Sequence, residues 1–377
     1  MTPPISSHIS AGFEPVEREF HALFDEGLEH GARFCLYQNG EPLIDLIGGW
    51  ADKDNKEPLN AAHLISVYST GKVAAAIVIA WLVDQGRLDY DQPVIDIWPE
   101  FNTHGKDRLS VAEIMSHQSG LSGITDPSWQ PVDWYDWDKT CHQLAAQAPI
   151  FPPTTASGYS PLTYGFLCGE LARRVDIGGR HLGQILREEI CAPLAIDVWL
   201  GLAEDQHHRC ADMQRPKKLP DFGELNDATR AAFLRRWSAP GGKPVKEWRK
   251  AQMTGSNCQA SAQGLARLAH ILVNGTLDGR RIISETTHHA LTRSRIEGMN
   301  LVLPFEINFA AGVMRNDPHF FFGPGRETLG HSGWGGSCLF ADPERGLTGA
   351  YTMTKQDNSL LGDMRPRRLI DLAYRCL

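Results

Sequence analysis

SVYSTGKVAAAIVIAWL, residues 66–82, is the stretch around which the rest of the chain is organised. Its second half is rich in alanine and aliphatic residues, contains no proline and runs on towards Gly86, which predicts a helix ending at that glycine. The helix is too apolar to lie on a protein surface. Ser69 is therefore expected at or near the start of a buried helix.

Ser69 and Lys72 have the spacing that puts two side chains on one face of a helix, one turn apart. A serine hydroxyl is a poor nucleophile until a neighbouring base activates it. Burial lowers the pKa of a lysine, so that part of a buried Lys72 would be neutral near physiological pH. Ser-x-x-Lys is also common by chance, and the alternative is an N-cap serine followed by a surface lysine. The apolar helix favours the nucleophile and base, because it carries Lys72 into the interior.

Composition limits the class of protein. With 377 residues, 42% hydrophobic and 22% charged, the chain can form two lobes or one large α/β unit. A net charge of −8 with both signs mixed disfavours nucleic acid and anionic membranes as partners. The cysteines form no Cys-x-x-Cys pair and the histidines lack metal-ligand spacing, so we expect no metal, no cofactor and no disulfide framework. Without a signal-peptide pattern or a long apolar run, the chain is expected to be cytoplasmic, and its oligomeric state stays open.

Strand patterns lie at both ends of the chain. Residues 13–30 predict an amphipathic helix, and residues 33–49 predict a β-hairpin with Asn39-Gly40 at its turn. Three more strands and a closing helix are predicted near the other end, over residues 309–314, 336–341, 348–353 and 370–377. These strands can join the hairpin in one antiparallel sheet only if the two chain ends meet in space.

The middle of the chain is mainly helical. Helices are predicted at about residues 109–115, 137–148, 162–175, 182–190 and 261–274. Residues 205–250 are polar and rich in Lys, Arg and Pro, and are interpreted as a flap. The expected fold is α+β, with a central antiparallel sheet flanked by helices and a helical lobe.

A single catalytic domain is predicted over residues 1–377. Its α/β lobe would contain residues 1–85 and 255–377, and its mainly helical lobe residues 86–254. A crevice between two lobes is a common position for a small-molecule site.

Two features of the middle segment are ambiguous. His117 follows the helix that begins at the Ser110–Glu113 capping box, and a histidine there more often hydrogen-bonds the backbone than takes part in catalysis. Trp129, Trp134 and Trp137 belong to a loop that either lines an apolar binding site or packs only against itself.

Three motifs occur in order along the chain: Ser69-Thr-Gly-Lys72, Tyr159-Ser160 and His331-Ser-Gly-Trp-Gly-Gly336. In this order they resemble the serine β-lactamase and penicillin-binding-protein superfamily. More narrowly, the chain resembles the family VIII carboxylesterases, which have a class C β-lactamase-like fold. The resemblance extends over about residues 13–375. It implies the β-lactamase-like (DD-peptidase) fold, with Ser69, Lys72 and Tyr159 as catalytic residues.

The resemblance also implies roles for the third motif. The backbone N–H groups of Ser69 and Trp334 would form the oxyanion hole, with Trp334 on the strand after His331. Gly333 and Gly335 would let that strand approach the substrate closely. His331 would contact Tyr159 or the substrate, or have a purely structural role, and Trp134 and Trp137 would suit an apolar acyl or alcohol group.

Two departures from the lactamase pattern favour an ester substrate. Pro161 stands where lactamases have an asparagine, and His331 stands where they have the lysine of Lys-Thr-Gly. Proline has no side-chain donor and histidine is mostly neutral near physiological pH, so a carboxylate anchor is lost. The resemblance thus implies a serine hydrolase that cleaves small esters with short-chain, small aromatic or apolar groups through an acyl-enzyme on Ser69.

Several alternatives use the same residues. They are a β-lactamase, a D-amino-acid peptidase or amidase, an acyltransferase and a ligand sensor that is acylated without turnover. Lys72 is expected to lower the pKa of Tyr159, and either of these two residues could be the formal base.

Overall fold

The computed structural model describes residues 4–377. Fourteen strands occur in these residues: β1 (Ile5–Ile9), β2 (Gly31–Gln38), β3 (Glu41–Gly49), β4 (Ile65–Ser66), β5 (Val198–Trp199), β6 (Gln259–Ala260), β7 (Thr276–Leu277), β8 (Arg280–Arg281), β9 (Ile296–Met299), β10 (Glu306–Phe309), β11 (Met314–Arg315), β12 (Leu329–Ser332), β13 (Cys338–Asp342) and β14 (Leu347–Met353).

Twelve α-helices occur in the same residues: α1 (Glu14–Asp25), α2 (Lys72–Asp84), α3 (Val111–Met115), α4 (Trp137–Ala146), α5 (Thr163–Val175), α6 (Leu182–Ile185), α7 (Asp227–Thr229), α8 (Val245–Lys250), α9 (Ala262–Leu268), α10 (Ile271–Asn274), α11 (Glu285–Thr292) and α12 (Met364–Cys376). Short 3₁₀ and π turns extend several of them, including a 3₁₀ turn over Tyr68–Gly71 that leads into α2.

A nine-stranded antiparallel sheet joins the two ends of the chain, in the order β1-β3-β2-β14-β13-β12-β11-β10-β9. The central pairing is between β2 and β14, from Gln38 opposite Leu347 to Ala32 opposite Met353. The helices α1 and α12 pack together over one face, and α9 packs against β2 and β14. This arrangement confirms the predicted fold class.

The predicted hairpin is confirmed as β2 and β3. Asn39 and Gly40 both have positive φ, 53° and 87°, which suits the two central positions of a type I′ turn. Local turn chemistry thus aligns β3 with β2, and β2 is the strand that pairs with β14.

Helix α2 runs through the interior. Ten of its thirteen residues are buried, among them Lys72, and it packs against α5, α6 and α11. At its start, a Cβ on Gly71 would lie 2.3 Å from the Cβ of Cys258, so only glycine fits there without a shift. The helix begins with the buried Lys72, and the 3₁₀ turn before it places the partly exposed Ser69 beside that lysine.

The predicted strand over residues 309–314 is wrong. β10 ends at Phe309, β11 begins at Met314, and the residues between them form a tight turn in which Ala310 N–H donates to the Val313 carbonyl at 2.9 Å. The turn is apolar because it packs on α2: a Cβ on Gly312 would lie 2.8 Å from the Cβ of Ala76. A short apolar run does not distinguish a buried strand from a buried turn.

The C-terminal strands and helix were only partly predicted. β9 and β12 escaped prediction, and the closing helix begins at Met364 rather than at residue 370. None of the helices in residues 4–377 combines the length and apolar character required to cross a bilayer.

Candidate active site

Ser69 and Lys72 meet at the entrance to α2. Lys72 Nζ lies 3.0 Å from Ser69 Oγ, 3.0 Å from the Pro161 carbonyl oxygen and 3.2 Å from that of Gly255. Ser69 Oγ is also 3.2 Å from the Gly255 oxygen. Lys72 is fully buried whereas Ser69 is partly exposed, so the hydroxyl can be reached from outside and the amine cannot.

The surroundings of Lys72 favour its neutral form. Burial lowers the lysine pKa to about 7, and only the Cys168 thiol acts weakly in the other direction. No salt bridge to Lys72 exists in residues 4–377. Instead, Nζ lies 4.9 Å from the ring centroid of Tyr159 and 5.5 Å from that of Tyr164. A substantial fraction of the amine is therefore available as a base near physiological pH.

Gly255 is a residue of this site that sequence reasoning missed. A Cβ at this position would lie 2.8 Å from Lys72 Nζ and 2.7 Å from the Pro161 oxygen. Only glycine lets the backbone approach the amine so closely. Gly255 belongs to no motif of the chain, so no local signal could have identified it.

Tyr159 lies beside Ser69 and Lys72. It is 5% exposed, and its backbone N–H donates to Asn300 Oδ1 at 3.2 Å. Burial raises the pKa of its phenol, and a hydrogen bond with Ser69 only partly opposes this. The expectation that Lys72 lowers the pKa of Tyr159 is wrong, because desolvation disfavours the phenolate and raises that pKa.

His117 has a structural contact with Tyr159. Its ring centroid lies 4.9 Å from that of Tyr159 and 4.8 Å from that of Phe309, and Nδ1 accepts a hydrogen bond from the Ser160 backbone N–H at 3.2 Å. Burial holds its pKa well below the usual range. The backbone-bonded interpretation of this histidine matches these contacts.

His331 lies on β12 with its ring centroid 6.0 Å from that of Tyr159. Nδ1 donates to the Ser332 carbonyl at 2.7 Å, because a carbonyl can only accept. Burial lowers the pKa of this histidine to about 3, so the ring is neutral and Nε2 carries a lone pair. Nε2 is buried and has no partner within residues 4–377. The group that replaces the lactamase lysine is thus an uncharged acceptor.

Residues Gly333–Gly336 form a turn rather than the predicted strand around Trp334. Gly336 N–H donates to the Gly333 carbonyl at 3.1 Å, and Gly335 has φ of 89°, as the third residue of a type II turn requires. Ser337 Oγ donates to the Val67 carbonyl at 2.9 Å and lies 3.0 Å from Thr70 Oγ1. Ser337 was not predicted, yet it joins this turn to the residues on both sides of Ser69.

Trp134 and Trp137 do not belong to this cluster. Trp134 is buried in the helical core and its Nε1 donates to the Trp237 carbonyl at 2.7 Å. Trp137 Nε1 donates to Glu170 Oε2 at 2.8 Å, and its ring packs on Phe166. Both indoles are occupied by contacts within the helical region, and this corrects the expectation that they contact substrate.

Other apolar side chains surround Tyr159 instead. They come from the predicted flap and from the C-terminal half, and the buried members are Ala228, Ala232, Val302, Leu303, Ile307, Phe309 and Met314. The partly buried ring of Phe233 lies 6.1 Å from that of Trp334 and stacks on Phe222 at 4.9 Å, measured between centroids. The flap therefore contributes aromatic surface next to the Trp334 turn.

Comparison with known proteins gives one family and several close relatives. The Beta-lactamase family model matches residues 20–374. The esterase/beta-lactamase LipL of Mycobacterium tuberculosis is 33% identical over 351 residues, which cover 89% of this chain and 79% of LipL.

Two solved structures are similar over almost the whole chain. A penicillin-binding-protein homologue from Caulobacter crescentus has a TM-score of 0.96 at 50% identity, covering 99% of this chain and 100% of the other. A family VIII carboxylesterase has a TM-score of 0.91 at 37% identity, with the same coverage.

Proposed function

The chain belongs to the beta-lactamase family and is a hydrolase of that superfamily, and from this premise we propose that it cleaves small carboxylic esters through an acyl-enzyme on Ser69. The observation that carries the proposal is the pair of Ser69 and Lys72, whose side-chain oxygen and nitrogen are 3.0 Å apart. The amine is buried and its pKa is lowered to about 7, which suits a base near physiological pH.

Acylation begins with proton transfer from Ser69 Oγ to the neutral amine of Lys72. Oγ attacks the ester carbonyl, and the developing oxyanion accepts hydrogen bonds from the backbone N–H groups of Ser69 and Trp334. As the carbon–alkoxide bond breaks, the neutral phenol of Tyr159 protonates the leaving alcohol, and the Lys72 ammonium returns a proton to Tyr159. The proton of the serine thus reaches the alcohol, and the acyl group stays on Ser69.

In deacylation water is the nucleophile and Ser69 is the leaving group. The neutral amine of Lys72 takes a proton from water, the resulting hydroxide attacks the acyl carbon, and Ser69 leaves and recovers that proton. Lys72 is the base in both steps because the raised pKa of Tyr159 keeps the phenol protonated. Tyr159 therefore acts as a donor and relay.

The charge at the site favours an uncharged ester over a β-lactam. His331 is neutral, so it offers no cation to a substrate carboxylate, and Pro161 has no side-chain donor for a substrate amide. The apolar residues around Tyr159 suit short-chain or small aromatic groups. Proteins named as esterases or carboxylesterases among the similar proteins support the same substrate class.

β-Lactam hydrolysis is the second candidate, because LipL is named as both an esterase and a β-lactamase. Peptidase, amidase and acyltransferase chemistry use the same acyl-enzyme.

The test is a paired assay of p-nitrophenyl acetate and butyrate against the β-lactam nitrocefin. We expect steady ester turnover with little nitrocefin cleavage, because a neutral His331 does not attract the lactam carboxylate. Fast nitrocefin turnover would contradict the ester preference. A stoichiometric burst without turnover would contradict hydrolysis and indicate a sensor, or a transferase that awaits an acceptor alcohol.

Ester hydrolysis should depend on pH through Lys72. A base with a pKa of about 7 is mostly protonated, and so inactive, below that value. We therefore expect kcat/KM to rise with pH, to pass through half its maximum near pH 7 and to level off at its maximum at higher pH. Tyr159 adds no decline in the same range because its pKa is raised, and His331 and His117 stay neutral. The measurement is kcat/KM for p-nitrophenyl butyrate from about pH 5 to about pH 9. A profile that is flat or falls over this range would contradict the assignment of Lys72 as base.

A further inference from the structure

A buried ion cluster lies against the Gly333–Gly336 turn next to Gly336, whereas Val67 lies next to Gly333. The Arg365 side chain, 5% exposed, lies between the carboxylates of Asp363 and Glu29, which are 3% and 0% exposed. Nη2 and Nε donate to Asp363 at 2.7 and 3.1 Å, and Nη1 lies 3.3 Å from Glu29 Oε2. Tyr351 donates its hydroxyl to the other oxygen of Glu29. None of these groups takes part in the mechanism above.

Arg365 also bonds directly to the turn. Its Nη2 donates to the Gly335 carbonyl at 2.8 Å, and its Nη1 donates to the Lys355 carbonyl at 2.7 Å. The fit is close, since a Cβ on Gly336 would lie 2.2 Å from Asp363 Oδ2 and 2.6 Å from Arg365 Nη2. The guanidinium and Asp363 thus form the surface on which the turn rests.

The direction of the Trp334 N–H follows from the geometry of this turn. The Gly333 carbonyl points into the turn, because it accepts from Gly336 N–H. In a trans peptide the C=O and the next N–H point in opposite directions, so the Trp334 N–H points out of the turn. Asp357 N–H and Gln356 Nε2 bond the Gly335 and Trp334 carbonyls at 3.0 and 3.2 Å. A rotation of the Trp334–Gly335 peptide would change the geometry of the turn and tilt the Trp334 N–H.

We propose that Arg365 is a positioning residue: by holding the Gly335 carbonyl from behind, it fixes the turn that presents the Trp334 N–H to the oxyanion formed at Ser69. Ser337 accepts a hydrogen bond from the Gly333 N–H and joins this end of the turn to Val67 and Thr70. The turn is thereby held between the Ser69 segment and Arg365 on α12. This inference rests on the proposed function, because it assumes that the Trp334 amide stabilises an oxyanion.

Arg365→Lys tests the proposal. Lysine keeps the charge that Glu29 and Asp363 require, but one ammonium cannot also bond both backbone carbonyls as the planar guanidinium does. We expect kcat for p-nitrophenyl butyrate to fall by on the order of 10-fold or more with little change in KM, since a whole missing oxyanion donor costs about 10²–10³ in kcat. Hydrogen exchange of the peptide containing Trp334 and Gly335 should become faster.

Two controls separate positioning from general stability. Glu29→Gln weakens the same ion cluster, but Glu29 does not contact the turn. Arg368 is on α12, as Arg365 is, and Arg368→Lys alters only its ion pairs with Glu19 and Glu26. Both should keep kcat within about twofold and leave exchange at Trp334 unchanged, even where they lower the melting temperature.

The outcomes are distinguishable. If Arg365→Lys keeps the wild-type kcat, or if Glu29→Gln loses as much, the proposal fails. If Arg365→Lys does not fold, Asp363→Asn carries the test, because it loosens the guanidinium while asparagine can still cap α12. The proposal then requires a several-fold loss of kcat at constant KM, and a wild-type kcat would overturn it. If the wild-type protein itself does not turn over esters, the proposed function fails, while the exchange measurement still decides whether Arg365 orders the turn.

Discussion

Replacing Ser69 with alanine is expected to abolish ester turnover while the protein stays folded. Oγ is the only heavy atom lost, and its contacts in the structure are polar ones to Lys72, Tyr159 and the Gly255 carbonyl, so no core packing is removed. Without the nucleophile no acyl-enzyme can form, and kcat should fall on the order of 10⁴- to 10⁶-fold, as in other serine hydrolases. The measurements are the turnover of p-nitrophenyl butyrate and the mass of the protein after mixing with this ester, which would show an acyl group bound to the protein.

A matched control is Ser256→Ala. Ser256 follows Gly255 in the chain, but its hydroxyl bonds the Met253 carbonyl at 3.2 Å and does not bond Lys72. This variant should keep nearly full activity and, unlike Ser69→Ala, should still form an acyl adduct. Substantial turnover by a folded Ser69→Ala protein would end the acyl-enzyme proposal.

Replacing Lys72 with methionine is expected to have the second largest effect. Methionine fills a similar volume in the buried site but cannot accept the serine proton, and general-base catalysis is typically worth 10²–10⁴-fold, so kcat/KM should fall by about that factor. The protein should stay folded with at most a modest fall in melting temperature: the Pro161 and Gly255 carbonyls lose their donor, but the substitution also removes an amine that burial disfavours as a cation. Activity and thermal unfolding measured on the same preparation test both statements.

Lys106→Met is the matched control for that result. Lys106 is also buried, and burial lowers its pKa to about 8, but its Nζ bonds the carbonyls of Ala145 and Gln147 at the end of α4. Its loss should lower the free energy of unfolding by about 1–3 kcal/mol, the cost of leaving buried polar groups unpaired, without changing kcat/KM. If both lysine variants lost activity equally, burial rather than base chemistry would explain the effect of Lys72.

Parts of the site were predictable because their signals are local. The spacing of Ser69 and Lys72 and the apolar composition of α2 place the pair on one buried face, and the distance of 3.0 Å agrees with that expectation. The Asn39-Gly40 turn and the capping box at Ser110 and Glu113 also depend only on neighbouring residues, and both occur as expected. Short-range geometry follows from short-range sequence.

The errors share the opposite cause. The tryptophan-rich loop predicted an apolar wall at Trp134 and Trp137, but both indoles pack on Phe166 of α5. Phe233, from the segment predicted as a flap, approaches Trp334 instead. The pKa of Tyr159 was expected to fall because a lysine is near, but its direction depends on burial by residues from distant segments.

By itself, the sequence determined the order of the motifs, the buried helix with Ser69 and Lys72 at its start, and the hairpin that begins the sheet, because these depend on periodicity and turn chemistry within a few residues. Only the tertiary structure decided the burial that lowers the pKa of Lys72, the shape of the turn at Trp334 and the contact of Arg365 with that turn. Ser69 Oγ meets the Gly255 carbonyl across 186 residues, and Ser337 meets Val67 across 270. Desolvation and close backbone approach arise only when such distant segments pack together, and no local pattern specifies them.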